Sequence, residues 1–479
     1  MNFRFTYQFI WSIVAFAVIS AVVSCNTAPK PKLNDTQYTY YYDLDSILKN
    51  KKLTVLMEYS STGYFIYKGV PMGFEYDILN NYCKHLNVSM NVVPIHTFAT
   101  VFDDLNSGKG DIIAANLTIT KERTKKAAFT IPHTYTRQVL VQRKHSANDS
   151  TPFIHSPLEL AHKHIVTHKN TSFYERLVHL SEEIGAPIYI DTASPAITSE
   201  ELIDKVAMGE INFTVADENV AKVLQHFYPN IDISVPLSMK QKIAFAVRKN
   251  SRKLLTNYNL WFNRFKKTRK YKYLLQKYFN NRSFYASMYN SDYYFPETGR
   301  ISPFDDLIKR NAQKIGWDWE LLASMIYQES HFNPKAKSWA GAFGLMQLMP
   351  NTAKRYGIDS TSSPAEQIAA GVKFLQYLDK QWAKTVHDSI QRQKFVLASY
   401  NVGLGHIIDA RNLAKKYGAN PTVWDNNVEY YIKLKSKPKY YKDEVVKHGY
   451  CRGMETYLYV RKVWERYIHY KNFTKKFES

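Results

Sequence analysis

The succession of strand-like and helix-like runs constrains this chain most, because it changes character part-way along. From Lys52 the runs alternate: "LTVLMEY" reads as a strand, "YDILNNYCKHL" as an amphipathic helix and "VSMNVVP" as a second strand. A helix over "TVFDDLNSG" and a strand in "GDIIAAN" follow, and the rhythm returns after about residue 160 in "HIVTHK", "YERLVHLSEEIG", "PIYID" and "EINFTVAD". Strands alternating with helices predict an α/β domain built on a largely parallel sheet. Two further strand-like runs, "RQVLVQRK" and "KIAFAVRK", flank the second α/β stretch, as expected of a chain that leaves one lobe, builds another and returns. From about Ser302 the pattern is helical to the end. At 479 residues one core is not enough. The expected fold class is therefore multidomain, with a bilobed α/β domain over 51–280, its second lobe at about 143–244, and an all-α or α+β domain over 301–479. The stretch between them, 281–300, shows no helical period and is expected to be a linker.

The first 25 residues carry one arginine, then the apolar run "FIWSIVAFAVISAVV", and end in "VVSC" at Cys25. Such a segment reads as a secretory signal and is short for a membrane-spanning helix. Ser24 before the cysteine resembles a bacterial lipobox, with Val22 in place of the usual leucine. That resemblance implies a lipidated Cys25 at the mature N-terminus and a polar tether over 26–50. The alternative is an uncleaved anchor with an incidental cysteine. Asn26 offers no aspartate-type retention signal, so the expected destination is an outer membrane, with the protein facing the periplasm.

The net charge is +22, and about half of that excess lies in residues 301–479. It suits an anionic polymer or an acidic membrane surface, or else a solvated lysine-rich face. No helix-turn-helix, zinc-finger or RNA-recognition pattern is present, so nucleic acid is not an expected partner. Cys83 and Cys451 fall in different domains and are not expected to pair, Cys83 being placed as a small core residue. No Cys/His spacing suits zinc, and neither a metal nor a cofactor is expected.

The segments "GFEYDIL", "LNSGKGDIIAANLTITKERTKKAAFTIPH" and "VADENVAKVL" resemble the family 3 solute-binding proteins, bilobed periplasmic receptors for amino acids. The resemblance covers roughly 51–280. It implies that Arg123 grips a ligand carboxylate in a bidentate manner and that Thr118 adds a hydroxyl. It further implies a donor at Thr171 in the second lobe and a carboxylate for the ligand's ammonium at Asp217. Read from the residues alone, Arg123 could equally be a surface arginine at a helix start, and Asp217 a helix cap. An amino acid or a muropeptide stem is the expected ligand.

In "DWELLASMIYQESHFNPKA", Leu322, Met325 and Ile326 share one helical face, and Glu329 continues that stripe towards the core. Desolvation there raises a carboxyl pKa, as suits a general acid near neutrality. Asn333-Pro334 stops the helix, leaving Glu329 near the negative end of its dipole. The competing reading is an exposed helix-end glutamate.

Three later segments, "GAFGLMQLMP" (341–350), "LASYNVGLG" (397–405) and "ETYLYVRKV" (455–463), follow the "ES" pair in order. Together they resemble the lysozyme-like catalytic domain of the family 1 lytic transglycosylases, which cleave peptidoglycan glycan strands. The departures are "SYN" where "AYN" is commoner, and His331 after Ser330. The resemblance implies that Glu329 is the catalytic acid and base, with Ser330 beside it. It places Gln347, Tyr400 and Asn401 along the sugar site and Tyr459 close to Glu329. A single carboxyl suits cleavage of the MurNAc–GlcNAc β-1,4 bond with formation of a 1,6-anhydro ring, whereas ordinary glycoside hydrolysis uses two. Asp359 and Asp388 are downstream candidates for a second catalytic carboxyl, and both are expected in surface or capping roles. A hydrolytic muramidase and a non-catalytic, wall-binding solute receptor remain the competing classes.

Overall fold

The computed structural model describes residues 41–95, 97–144, 152–194, 197–289, 291 and 299–475. The expected signal segment, Cys25 and the expected tether up to residue 40 lie outside the described residues. The rest of the expected tether is not one. Leu44–Asn50 form a helix capped by Asp43, and Leu44 and Ile47, three residues apart, are buried in the first lobe. Asp43 also accepts from the backbone N–H groups of Lys253 and Leu254, at 3.0 and 2.8 Å, which ties this helix to the returning chain.

In the first lobe's sheet β1 (Lys52–Met57) runs parallel to the edge strand β4 (Ser89–Pro94) on one side and to the central strand β5 (Ile112–Ala114) on the other. β14 (Ala246–Val247) runs antiparallel to β5 and to β6 (Ala128–Phe129) at the far edge. The second lobe's sheet has the order β10 (Tyr189–Thr192), β9 (His164–Thr167), β11 (Phe213–Asp217), β8 (Gln138–Arg143), β12 (Ile231–Asp232). β7 (Thr134–Thr136) and β13 (Gln241–Ile243) pair antiparallel between the two sheets and carry the chain across and back.

This corrects the expected lobe boundary. "RQVLVQRK" was expected to flank the second lobe, yet its Gln138–Arg143 segment is an inner strand paired with both β11 and β12. The crossing comes earlier, at β7, and the lobe begins before residue 143. Five successive residues of β8 are buried, as expected of a strand covered on both faces. A run of that composition does not announce which sheet it joins.

The expected linker is also partly helical. Arg282–Tyr289 form a helix that buries Tyr285 and Met288 in the first lobe, with Tyr285 Oη donating to the Tyr278 carbonyl at 2.8 Å. Two buried side chains on so short a helix leave too little periodic signal to detect. Residues 290 and 292–298 of that stretch lie outside the described residues.

The last domain is helical, with isolated bridges but no extended strand among residues 299–475. Its central helix, Trp319–Ser330, is buried continuously from Glu320 to Tyr327. A helix apolar all round belongs in a core. Ser324 Oγ donates to the Val463 carbonyl at 2.6 Å, locking this helix to the long Gly453–Thr474 helix. The β2 (Phe65–Tyr67) and β3 (Val70–Met72) hairpin of the first lobe docks onto the same two helices. Tyr470 Oη donates to the Gly69 carbonyl at 2.7 Å, and at Gly69 (φ +71°) an added Cβ would lie 2.5 Å from the Tyr327 ring and 2.9 Å from that of Phe332. Only glycine fits so close an approach.

Candidate active site

Glu329 stands on the last turn of the Trp319–Ser330 helix, which ends at His331 in the left-handed conformation (φ 53°) just before Asn333-Pro334. Tyr459, from the Gly453–Thr474 helix, donates its hydroxyl to Glu329 Oε1 at 2.5 Å. Burial pushes the Glu329 carboxyl up to about 7, and the Tyr459 bond works against that rise. The phenols of Tyr459 and Tyr400 are raised far above their ordinary range, first by burial and then by the nearby Glu329 charge. Both therefore remain donors. Tyr400 gives its hydroxyl to the Met346 carbonyl at 2.7 Å, joining the "SYN" segment to the "GLMQ" loop.

The other expected site residues divide. Asn401 is exposed, and its Oδ1 accepts from Thr456 Oγ1 at 2.8 Å. Ser330 turns inward instead: it is 5% exposed and donates to the Ile326 and Leu345 carbonyls at 3.2 and 2.9 Å. It holds the loop behind Glu329 and presents no hydroxyl to a sugar, which corrects its placement as a substrate-binding residue. Gln347, in the left-handed region (φ 47°), donates its amide to the Ala336 and Gly344 carbonyls at 3.1 and 2.9 Å, bracing the same loop. Asp359 accepts from the Thr361 N–H at 2.8 Å within a turn, and Asp388 caps the Ser389–Val402 helix through the Gln391 N–H. Both carboxyls are spent on local backbone.

One feature had no sequence signal. Lys435 and Asp409 are both fully buried and pair at 2.6 Å. Asp409 also accepts from the N–H groups of Lys447 and His448, at 2.9 and 2.8 Å, while Lys435 reaches His406 Nδ1 at 2.8 Å. Burial alone would raise the Asp409 carboxyl, but Lys435 and these N–H donors hold it below its ordinary value. The network fastens residues 447–448 across the Leu404–Lys416 helix, beside Gly405 of the "NVGLG" segment, where an added Cβ would meet the His448 ring at 2.5 Å. "KLKSKPK" looks like a solvated lysine run, and nothing local marks Lys435 as buried.

In the first domain the structure brings Arg123, Thr118 and Asp217 together. Arg123 Nη1 donates to Thr118 Oγ1 at 2.8 Å and to its carbonyl at 3.0 Å. Burial lowers the Arg123 pKa, with Glu175 and then Asp217 opposing. Burial raises the Asp217 carboxyl to about 7, against Arg123 and a 2.6 Å bond from Asn116 Nδ2. Asp217 heads a helix yet makes no side-chain cap bond, and its Oδ1 is buried with no hydrogen-bond partner among the described residues. A buried acceptor of that kind suits an ammonium. Thr171 caps the Ser172–Ile184 helix, its hydroxyl engaged with Tyr174 N–H and the His168 carbonyl. Sequence reasoning missed Asn116 and also Glu200, whose carboxylate crosses between the lobes to accept from Ser61 N–H at 3.0 Å and Ser61 Oγ at 2.9 Å. Among the described residues no three His, Cys, Asp or Glu side chains are grouped to hold a metal.

Residues 53–281 match the bacterial extracellular solute-binding proteins, family 3, and residues 306–423 the transglycosylase SLT domain. A membrane-bound lytic murein transglycosylase F from Desulfosudis oleivorans is 34% identical over 434 residues, 90% of this chain and 93% of that protein. The chain belongs to the membrane-bound lytic murein transglycosylase F family. Members of this family from Saccharophagus degradans and Aliivibrio fischeri are 30% and 29% identical, over 88% and 96% of this chain and 82% and 90% of their own. Among solved structures, holo ArgBP from T. maritima is similar to half of the chain (24% identity, TM-score 0.40, 50% of this chain and 100% of that one). The F-family match covers 90% of the chain and so runs through both of its domains.

Proposed function

We propose that this chain is a peptidoglycan lytic transglycosylase that cleaves the MurNAc–GlcNAc β-1,4 bond and leaves 1,6-anhydro-MurNAc ends, with Glu329 as its catalytic residue. The observation that carries the reading is one half-buried carboxyl, raised to about 7 and held by a tyrosine. In its protonated form Glu329 donates to the glycosidic oxygen as the bond breaks. The muramyl acetamido oxygen stabilises the developing positive charge at C1. The resulting carboxylate takes the proton from the C6 hydroxyl, which attacks C1 and closes the ring. Nucleophile and electrophile belong to one sugar, so neither water nor a second carboxylate is required. Tyr400, Asn401 and Tyr459 line the sugar site, with Ser330 and Gln347 bracing the loop beside it. Mass spectrometry of digested peptidoglycan tests this. Anhydro-muramyl ends are expected; reducing muramic ends would make the chain a muramidase, and no release at all would leave a wall-binding receptor.

Tyr459→Phe removes the interaction that lowers the Glu329 pKa, so that pKa should rise from its value of about 7. The acid form then survives to higher pH, and the alkaline limb of the pH–rate profile should move upward. A limb that stays or moves down would dissociate Tyr459 from Glu329.

The first domain is read as a clamp for an amino acid or muropeptide stem that modulates the enzyme. Arg123 takes the carboxylate, Thr118 supports it, Asp217 takes the ammonium, and Thr171 marks the second lobe's side. Arg123→Ala should weaken calorimetric binding of amino acids at least tenfold, since a charge-assisted bidentate contact is lost. Equal binding by variant and wild type would remove Arg123 from the site. The relatives' name and the solute-binding family fit a membrane-associated protein of the periplasm, and no helix among the described residues is long and apolar enough to cross a membrane. Lipidation of Cys25 and delivery to the outer membrane supply the anchor in this reading. Incorporation of labelled palmitate, lost in Cys25→Ser, checks it.

A further inference from the structure

Trp339 is 96% exposed, unlike Trp317, Trp382 and Trp424, which are at most 7% exposed. An indole left in water forgoes a large burial energy, and such side chains are enriched where a partner covers them. Its loop is firmly built. Ser338 N–H donates to the Ala342 carbonyl at 2.8 Å, Ser338 Oγ accepts from Ala342 N–H at 3.0 Å, and Gly341 N–H donates to the Ser338 carbonyl at 3.0 Å. Gly341 supplies the left-handed φ of +88° that this turn needs. Bridges from Lys337 to Phe343 and from Phe343 to Leu348 extend the turn into a short ribbon. The ribbon's base is the loop that Gln347 braces and that Ser330, next to Glu329, holds through the Leu345 carbonyl. Met349, 47% exposed, begins the helix over Pro350–Arg355, and an added Cβ on Gly341 would lie 3.9 Å from Pro350. Lys335 and Lys337 are exposed on the approach to the tryptophan.

We propose that Trp339 is a stacking platform for a sugar ring of the glycan strand, outside the pair that flanks the scissile bond. The proposal rests on the transglycosylase reading and names a specificity determinant for it: the platform makes the enzyme favour long strands over short fragments. A pyranose presents an apolar C–H face with polar edges, which suits an exposed indole face on a loop that also carries the exposed Lys335 and Lys337. Apart from Met349, the indole's neighbours along the loop are Ser, Ala, Gly and Lys, too few apolar side chains for a membrane-inserting surface. Because the turn is already ordered, stacking immobilises little else, which favours net affinity.

The test compares full-length wild type, Trp339→Ala and Trp339→Phe on long uncrosslinked glycan strands and on a tetrasaccharide of the same repeat. Trp339→Ala should lower kcat/KM for long strands roughly tenfold through KM, change the tetrasaccharide value far less, and be partly restored in Trp339→Phe. An unchanged long-to-short ratio would overturn the platform. Loss of binding to anionic phospholipid vesicles with that ratio intact would also overturn it, in favour of a membrane contact. A wild type producing no anhydro ends from either substrate sinks the transglycosylase reading instead. Tryptophan emission then still decides the platform: in a Glu329→Gln background it should shift to the blue as glycan is added, and the shift should vanish with Trp339→Ala. No Trp339-dependent shift would remove the site.

Discussion

Glu329→Gln should lower kcat on peptidoglycan by at least about a thousandfold, because one group serves as acid in the first half of the reaction and as base in the second. The glutamine keeps the shape and can still accept from Tyr459, so strand binding should survive while anhydro ends disappear from the mass spectrum. Full lytic activity in this variant would remove the mechanism outright. The same substitution should raise stability at high pH. Burial lifts the Glu329 pKa from an ordinary carboxyl value to about 7, so the unfolded chain ionises this group before the folded one does. As pH rises from about 4.5 through 7, the wild type loses stability that the glutamine variant keeps. The thermal midpoint of Glu329→Gln should therefore exceed that of the wild type above pH 7, and the gap should close as pH falls. A midpoint difference independent of pH would show that this carboxyl is not desolvated.

Asp409→Ala should destabilise the helical domain by about 3–5 kcal/mol, because it strands the Lys435 ammonium where water does not reach. It also leaves the Lys447 and His448 N–H groups without their acceptor. Removing both charges, as Asp409→Leu with Lys435→Met, should cost less than either single change, since the penalty lies in an unpaired buried charge. Denaturant unfolding of the wild type, Asp409→Leu, Lys435→Met and the double variant forms a double-mutant cycle. Additive losses would mean that the pair is hydrated and not coupled. Lowering the pH supplies a second check: the folded Asp409 pKa lies below its ordinary value, so its stabilisation is present above that value and fades as pH falls beneath it.

Much of this is legible in the sequence, and for a definite reason. Helical periodicity is local geometry, so the spacing of Leu322, Met325 and Ile326 was enough to turn Glu329 towards a core. Proline chemistry is equally local, and "NP" ended the helix where expected. The alternation of strands and helices, followed by helices alone, led to the two-domain architecture. The F-family relationship extends along 90% of the chain, consistent with motifs found in both halves.

Contacts between distant segments were another matter. Ser330 and Gln347 sit in the motif that suggested a sugar site, yet their polar groups are turned to carbonyls of the loop. That choice depends on where Leu345 and Ala336 come to lie. "RQVLVQRK" was recognisable as a strand, but its partners, β11 and β12, start about seventy to ninety residues later, beyond the reach of any local pattern. Leu44, Ile47, Tyr285 and Met288 lie in segments that look polar on average and are buried only because the first lobe offers a surface to cover them. Lys435 is the sharpest case. A lysine among lysines belongs in solvent unless a carboxylate and a cavity arrive from elsewhere in the chain, and Asp409 supplies the first while folding supplies the second. The order of elements and the facing of Glu329 were thus set by sequence alone, through periodicities a few residues long. The pairing of charges, the inward turn of Ser330 and the outward Trp339 were decided by tertiary structure, because each depends on which distant atoms exclude water from it.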